Sequence, residues 1–239
     1  MKKLLAVLAG TILTVALAHA QKQINDPNAE PRNVSGFHAI KVSSAFDVYL
    51  TQGNEEGLAV SASEPKYRND IKTEVKNGVL VISFQGDKKF WNKGNKKLKA
   101  YISFKNIDRL DVGGACDVYL LTALKADKLS IELSGASDMK NAELQVNELT
   151  VDVNGASDML VSGKVSQLKI EASGASDFKG YDLVTEYCDV RASGASGISI
   201  TVNKELSAKA SGASDIRYKG EGLIREIKTS GASSVSRKS

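Results

Sequence analysis

From Leu129 onward the chain alternates apolar and polar residues with a period of two, and the alternation is broken at regular places by glycine. Leu129, Ile131 and Leu133 precede Gly135; Leu149, Val151 and Val153 precede Gly155; Leu168, Ile170 and Ala172 precede Gly174. Cys188, Val190 and Ala192 then precede Gly194, and Leu206, Ala208 and Ala210 precede Gly212. The residues between them are polar, among them Glu132, Asp152, Glu171, Arg191 and Lys209. Such alternation predicts strands with one face buried. An apolar residue returns four positions after each glycine, as Met139, Met159, Phe178, Ile198, Ile216 and Val235. Each glycine therefore marks a corner where the inward register resets, a place for the positive φ that glycine adopts without strain.

The corners repeat. Gly-Ala-Ser-Asp occurs at 135–138, 155–158, 174–177 and 212–215, with near-copies at 114–117, 194–197 and 231–234. Successive glycines are 21, 20, 19, 20, 18 and 19 residues apart. A unit this short cannot bury its own apolar face, so the copies must stack. The repeat shows strand signal and no helical period, which predicts an all-β, single-stranded parallel β-helix with about 20 residues per coil. In-register strands lie about 4.8 Å apart, giving seven coils a length of roughly 30 Å. A nonapeptide roll, a leucine-rich repeat and a propeller blade all need other periods or other consensus residues. Cys116 and Cys188 fall four coils apart, roughly 19 Å, too far for a disulfide. Both thiols are expected free.

Upstream, Ala45-Phe46-Asp47-Val48-Tyr49-Leu50 parallels Ala115-Cys116-Asp117-Val118-Tyr119-Leu120. A divergent first copy places the chain from about Ser35 in the same body. The resulting layout is one β-helix domain over 35–239, with divergent coils and a hairpin over 35–110 and regular repeats over 111–239. Asn77-Gly78 between Ile71–Lys76 and Val79–Phe84 predicts a type I′ hairpin, and Leu98 to Phe104 alternates as a further strand. Residues 21–34, with two of the three prolines, read as a flexible leader. Ahead of it, Lys2 and Lys3, the apolar run from Leu4 to Leu17 and Ala18-His19-Ala20 form a signal peptide over residues 1–20. As a helix the run would rise about 21 Å, short of a roughly 30 Å hydrocarbon core, so no membrane span is expected.

The repeated Gly-Ala-Ser-Asp corners, with Ser44 to Leu50 following a signal peptide, resemble the "putative auto-transporter adhesin, head GIN domain" family of secreted proteins from Gram-negative bacteria. The resemblance covers roughly Val34 to Ser234. It implies a right-handed β-helix related in shape to pectate lyases, and a role in adhesion. The chain departs from the pattern at Gly197 and Ser234, where the corner aspartate is missing, and it shows no barrel-forming translocator segment.

Composition narrows the chemistry. Of 239 residues only two are histidine and two cysteine, which excludes a disulfide-stapled scaffold and a zinc site of His and Cys clusters. Without Lys2 and Lys3 the basic residues number 30 against 28 acidic, a net charge of +2 that speaks against nucleic acid as a partner. His38, the one histidine after the signal segment, reads as a surface residue with no catalytic partner beside it. The corner residues Asp117, Asp138, Asp158 and Asp177 would form a column of carboxylates about 4.8 Å apart, each pair repelling by roughly 1 kcal/mol in water. Backbone N–H bonds at the turns, aided by Ser137, Ser157 and Ser176, would offset this. Calcium held between coils and a catalytic carboxylate pair are the sharper alternatives. A second polar column runs through Ser134, Asn154, Ser173, Ser193, Ser211 and Ser230. The stretch from Lys88 to Lys97 holds the only tryptophan, and Phe90, Trp91 and Lys93 are its candidate ligand contacts; the competing reading is a solvated turn whose lysines shield an edge.

The expectation is therefore an exported, non-enzymatic β-helix, located in the periplasm, on the outer surface or secreted. It would need no cofactor and would contact a surface glycan or protein through its repetitive surface. A polysaccharide lyase or hydrolase acting on acidic glycans is the alternative. A groove with Lys or Arg beside two carboxylates would favour that alternative.

Overall fold

The computed structural model describes residues 26–86 and 96–238. The signal segment at 1–20 and the candidate contacts Phe90, Trp91 and Lys93 lie outside them. The regular part is a stack of long strands: β10 (Leu124–Leu133), β11 (Asp138–Val153), β12 (Asp158–Ala172), β13 (Asp177–Ala192) and β14 (Gly197–Ala210). Each pairs in parallel with the next, and the registers join equivalent residues of successive repeats. Val151, Ile170, Val190 and Ala208 are consecutive partners, as are Val153, Ala172, Ala192 and Ala210. The predicted all-β solenoid of about twenty residues per coil is the observed fold.

The corners also form as the sequence requires. Gly135, Gly155, Gly174, Gly194 and Gly212 have φ between 73° and 80°. A Cβ on Gly155 would lie 2.4 Å from the carbonyl oxygen of Gly135, so stacking as well as dihedral angle demands glycine there. Between corners the chain hardly leaves the strand conformation. It closes each coil by bending at register shifts, between Met139 and Ala142 in β11 and between Leu160 and Ser162 in β12. These bulges turn a second set of side chains inward, including Ala142, Leu144, Val146, Val161, Val165, Ile200 and Val202, all buried.

The upstream part departs from chain order. β2 (Ala39–Ser44) and β3 (Phe46–Gln52) make one coil, and β8 (Arg109–Gly114) and β9 (Asp117–Leu120) stack on it. Asp47, Val48, Tyr49 and Leu50 face Asp117, Val118, Tyr119 and Leu120, which makes the two Asp-Val-Tyr-Leu copies neighbours. β6 (Val79–Phe84) and β7 (Leu98–Phe104) pair with the opposite edges of β2 and β3 and extend the stack outward. Antiparallel strands close that end. β5 (Ile71–Lys76) pairs with β6 through the Asn77-Gly78 turn, both residues at positive φ, and β4 (Gly57–Ser61) pairs with β7. The helical turn α1 (Pro65–Asn69) buries Tyr67 between them in sequence.

One expectation is corrected here. From residue 26 the supposed leader is tied to the body: β1 (Glu30–Arg32) pairs antiparallel with β4, and the Tyr101 hydroxyl donates to Asp26 at 2.9 Å. Pro31 is compatible with this because β1 has a partner on one side only. Glu30 adds ion pairs to Arg32 and Arg68 at 2.7 and 2.8 Å.

Candidate functional site

The corner aspartates stack as a column. Asp47, Asp117, Asp138, Asp158 and Asp177 are partners on successive coils, followed by Gly197, Asp215 and Ser234. Their repulsion is offset chiefly by cations. Lys140 lies 2.9 Å from Asp117 and 3.9 Å from Asp138; Lys179 lies 2.6 Å from Asp158 and 3.5 Å from Asp177. Arg217 serves Asp215 at 3.1 Å. Each of these cations stands two residues beyond a corner aspartate, on the same face of its strand. That signal was present in the sequence and was missed. The bond to Asp158 holds the Lys179 ammonium above its usual range, and the bond to Asp117 does the same for Lys140. The expected bonding of the carboxylates by turn N–H groups is corrected: it occurs at Asp138, whose Oδ1 accepts from the Asp158 N–H at 3.3 Å. Among the described residues no group of three or more His, Cys, Asp or Glu side chains converges as a metal site would.

The corner serines face inward instead. Ser137, Ser157, Ser176, Ser196 and Ser214 are buried. The Ser176 hydroxyl lies 2.9 Å from the carbonyls of both Val153 and Ser173, and Ser196 and Ser214 repeat the arrangement one coil on each time. One hydroxyl thus ties its own turn to the coil before it. Cys116 occupies the same place in the first regular corner, with its Sγ accepting from the Phe46 N–H at 3.4 Å. Both cysteines are free and buried, and burial pushes the Cys188 thiol up to about 12.

The second polar column lines a groove. Asn154, Ser173, Ser193, Ser211 and Ser230 form one wall of an open depression of about 850 Å³. Beside them run Asp152, Glu171, Arg191, Lys209 and Lys228, which are register partners in that order. Upstream the same column continues as Glu132 and Asp111. The column is therefore acidic over four coils and basic over three. Arg191 meets Glu171 at 3.0 Å where the sign changes, and Lys209 meets Glu226 at 3.1 Å. The hydrogen bond from Lys169 and a second from Arg191 hold the Glu171 carboxyl below the usual carboxylate range. Within the polar wall the Ser173 hydroxyl donates to the Asn154 side chain. Period-two alternation identified these residues as outward-facing; that two neighbouring columns border one depression follows from how the coils curve.

Two further features lie outside the groove. Tyr101, Tyr49 and Tyr119 stack face to face with centroids 5.1 and 5.2 Å apart, and burial raises the Tyr49 and Tyr101 phenols above their ordinary range. His38 is at the surface as expected, but it has a partner the sequence did not suggest, Asp108 at 3.0 Å, seventy residues away.

The fold is shared with solved structures. A "putative adhesin" from Bacteroides fragilis NCTC 9343 superposes with a TM-score of 0.81 at 21% identity, covering 88% of this chain and 96% of its own. A "putative adhesin" from Parabacteroides merdae ATCC 43184 gives 0.65 at 18%, covering 88% and 95%. A "putative lipid binding protein" from Parabacteroides distasonis ATCC 8503 gives 0.65 at 20%, covering 90% and 98%. No curated protein matches the sequence. The model of one family matches residues 36–222, the whole run from the first coil through the last Gly-Ala-Ser-Asp corner: the chain belongs to the "Putative auto-transporter adhesin, head GIN domain" family.

Proposed function

We propose that this is an exported, non-enzymatic adhesion protein that holds a surface glycan along the groove of its β-helix. The observation that carries the reading is the repetition of the groove itself. Each coil contributes one small hydroxyl or amide and one charged side chain, from Asp152 and Asn154 to Lys228 and Ser230. A polymer with its own repeat can meet such a ladder at several rungs, and weak contacts made together give avidity. The adhesin descriptions of the family and of two of the similar structures agree with this use. Glycan-array binding of the purified protein tests it. Arg191→Ala, Lys209→Ala and Ser211→Ala should each weaken binding, and the triple variant should weaken it more than any single one. Absence of any glycan signal above background would refute the reading.

One observation favours the enzymatic alternative: Arg191 and Lys209 stand beside Asp152 and Glu171 in the groove, as in a lyase or hydrolase of acidic polysaccharides. Against it, Glu171 is engaged by Lys169 and Arg191, which makes its carboxyl a poor proton donor. Turnover of an acidic polysaccharide that disappears in Arg191→Ala would reverse the ranking.

A further inference from the structure

The two ends of the rod are built differently. The upstream end is closed by β1, β4, β5 and α1, and Tyr67, Ile71, Leu80 and Phe84 are buried beneath them. Among the described residues the downstream end has no such cover. Its last strands, β16 (Leu223–Thr229) and β17 (Ser234–Arg237), pair on one side only, with β14 and with β15 (Asp215–Lys219) respectively. Among the described residues no strand pairs with their other edges.

Apolar side chains collect at this end. Leu223 is 78% exposed, Ile224 44% and Ile227 42%. Elsewhere among the described residues the exposed large apolar side chains are Leu121, Leu160 and the pair Val184 and Tyr187. Leu223 and Ile224 are adjacent in one strand and so point to opposite faces. The exposure is therefore more than an uncovered inner column.

Cations are frequent in the same coils. Arg217, Lys219, Arg225, Lys228, Arg237 and Lys238 belong to the last two coils, against Asp215, Glu221 and Glu226. Arg237 pairs with Glu221 and Lys228 with Glu226, while Arg225 reaches back to Glu205. Lys219 and Lys238 have no carboxylate partner among the described residues. They follow the register pair Tyr218 and Arg237, and both reach over the Tyr181 ring, 4.8 and 4.7 Å from its centroid. The Tyr181 hydroxyl is buried near them without a hydrogen-bond partner.

We propose that the downstream end of the rod docks peripherally on an anionic lipid surface, placing Leu223, Ile224 and Ile227 among the headgroups and the cations against the phosphates. Exposed apolar residues with long basic side chains in the same coils match that boundary, where the stems lie in apolar surroundings and the charges remain wet. A second copy of the chain docked end to end fits less well: two downstream ends would set Arg225, Lys228, Arg237 and Lys238 against their own copies. The upstream end carries both signs, with Lys66, Arg68, Lys72 and Lys76 beside Glu64, Asp70 and Glu74, and offers no acidic excess to meet them. No helix among the described residues is long and apolar enough to cross a membrane, so the contact is one of surface. Ile227 and Lys228 also border the last rung of the groove, so the contact would cover that rung and leave those from Asp152 to Lys209 accessible along the side of an upright rod.

Co-sedimentation of the chain from Gln21 onward with vesicles tests this, comparing phosphatidylcholine alone with a mixture containing phosphatidylglycerol. Binding is expected only to the mixture and should weaken as salt is raised. Leu223→Ser and the double variant Lys219→Gln/Lys238→Gln should each reduce the vesicle association constant about tenfold or more. These side chains lie outside the core, so circular dichroism and unfolding midpoints should match the parent protein. Arg191→Ala in the groove should leave vesicle binding unchanged, so failure here and failure of the glycan reading are separable. Equal binding to both vesicle types, no binding to either, or a dimer in sedimentation that Leu223→Ser dissolves would each overturn the proposal.

Discussion

Replacing glycine by alanine at two positions separates two costs that the corners combine. Gly36 and Gly155 have nearly the same left-handed φ, 73° and 78°. Around Gly36 an added Cβ meets nothing within 4 Å. Gly36→Ala should therefore cost only the conformational penalty of a non-glycine residue in that region, about 1–2 kcal/mol. At Gly155 the same Cβ would lie 2.4 Å from the Gly135 carbonyl oxygen and 3.0 Å from its nitrogen. Both are backbone atoms of the adjoining coil, and they cannot rotate away as a side-chain tip would. Relief requires the two coils to part, which stretches the inter-coil bond between the Ala156 N–H and the Gly135 carbonyl, 2.7 Å long. Adding at least one lost bond and the repacking beneath it, Gly155→Ala should cost about 3–5 kcal/mol. Urea denaturation followed by far-ultraviolet circular dichroism measures both, with tyrosine fluorescence as a second probe, because stacked repeats can unfold in stages. Equal destabilisation by the two substitutions would refute the view that stacking, in addition to dihedral freedom, fixes the corner glycines.

Ser176→Ala should destabilise by about 1–3 kcal/mol, because it removes the donor to two buried carbonyls, whereas Ser176→Cys should cost less, as Cys116 already fills the same column; equal denaturation curves for the two variants would contradict this. Millimolar calcium should leave the unfolding midpoint unchanged, since Lys140, Lys179 and Arg217 already neutralise the corner carboxylates; a clear rise would restore calcium as the ion between coils. Neither Cys116 nor Cys188 should react with a thiol reagent at pH 8 in the folded protein, and both should react on unfolding, because burial raises both thiols; rapid modification of the native protein would show the coils open more readily than their packing implies.

Much of this molecule is determined by sequence alone. The glycine spacing and the alternation before it depend only on local rules: period two places alternate side chains on one face, and a left-handed corner requires glycine. Those rules give the coil, its length, the inward positions from Leu129 to Ala210 and the separation of the two cysteines. The stacking of equivalent aspartates follows as well, because a repeat in register places like beside like. What neighbouring coils do to one another was legible only in part. Lys140 and Lys179 could have been found by looking two residues past each corner, but the reach of one lysine to two carboxylates depends on the spacing between coils.

Other features were beyond any local rule. The coil of β6 and β7 stacks outside the coil of β2 and β3, although it follows it in sequence, because the antiparallel strands β4 and β5 reverse the chain. That reversal gives β1 an edge to pair with, which is why residues 26–34 are ordered against the body where proline content suggested a free leader. The groove likewise needs the curvature of several coils to bring the serine column beside the charged one, and the contrast between a closed upstream end and an open downstream end exists only once the rod is assembled. Periodicity therefore determined the repeating unit, through backbone geometry and burial within one coil. Tertiary structure decided how the ends are finished and which columns share a surface, because those depend on contacts between segments far apart in the chain.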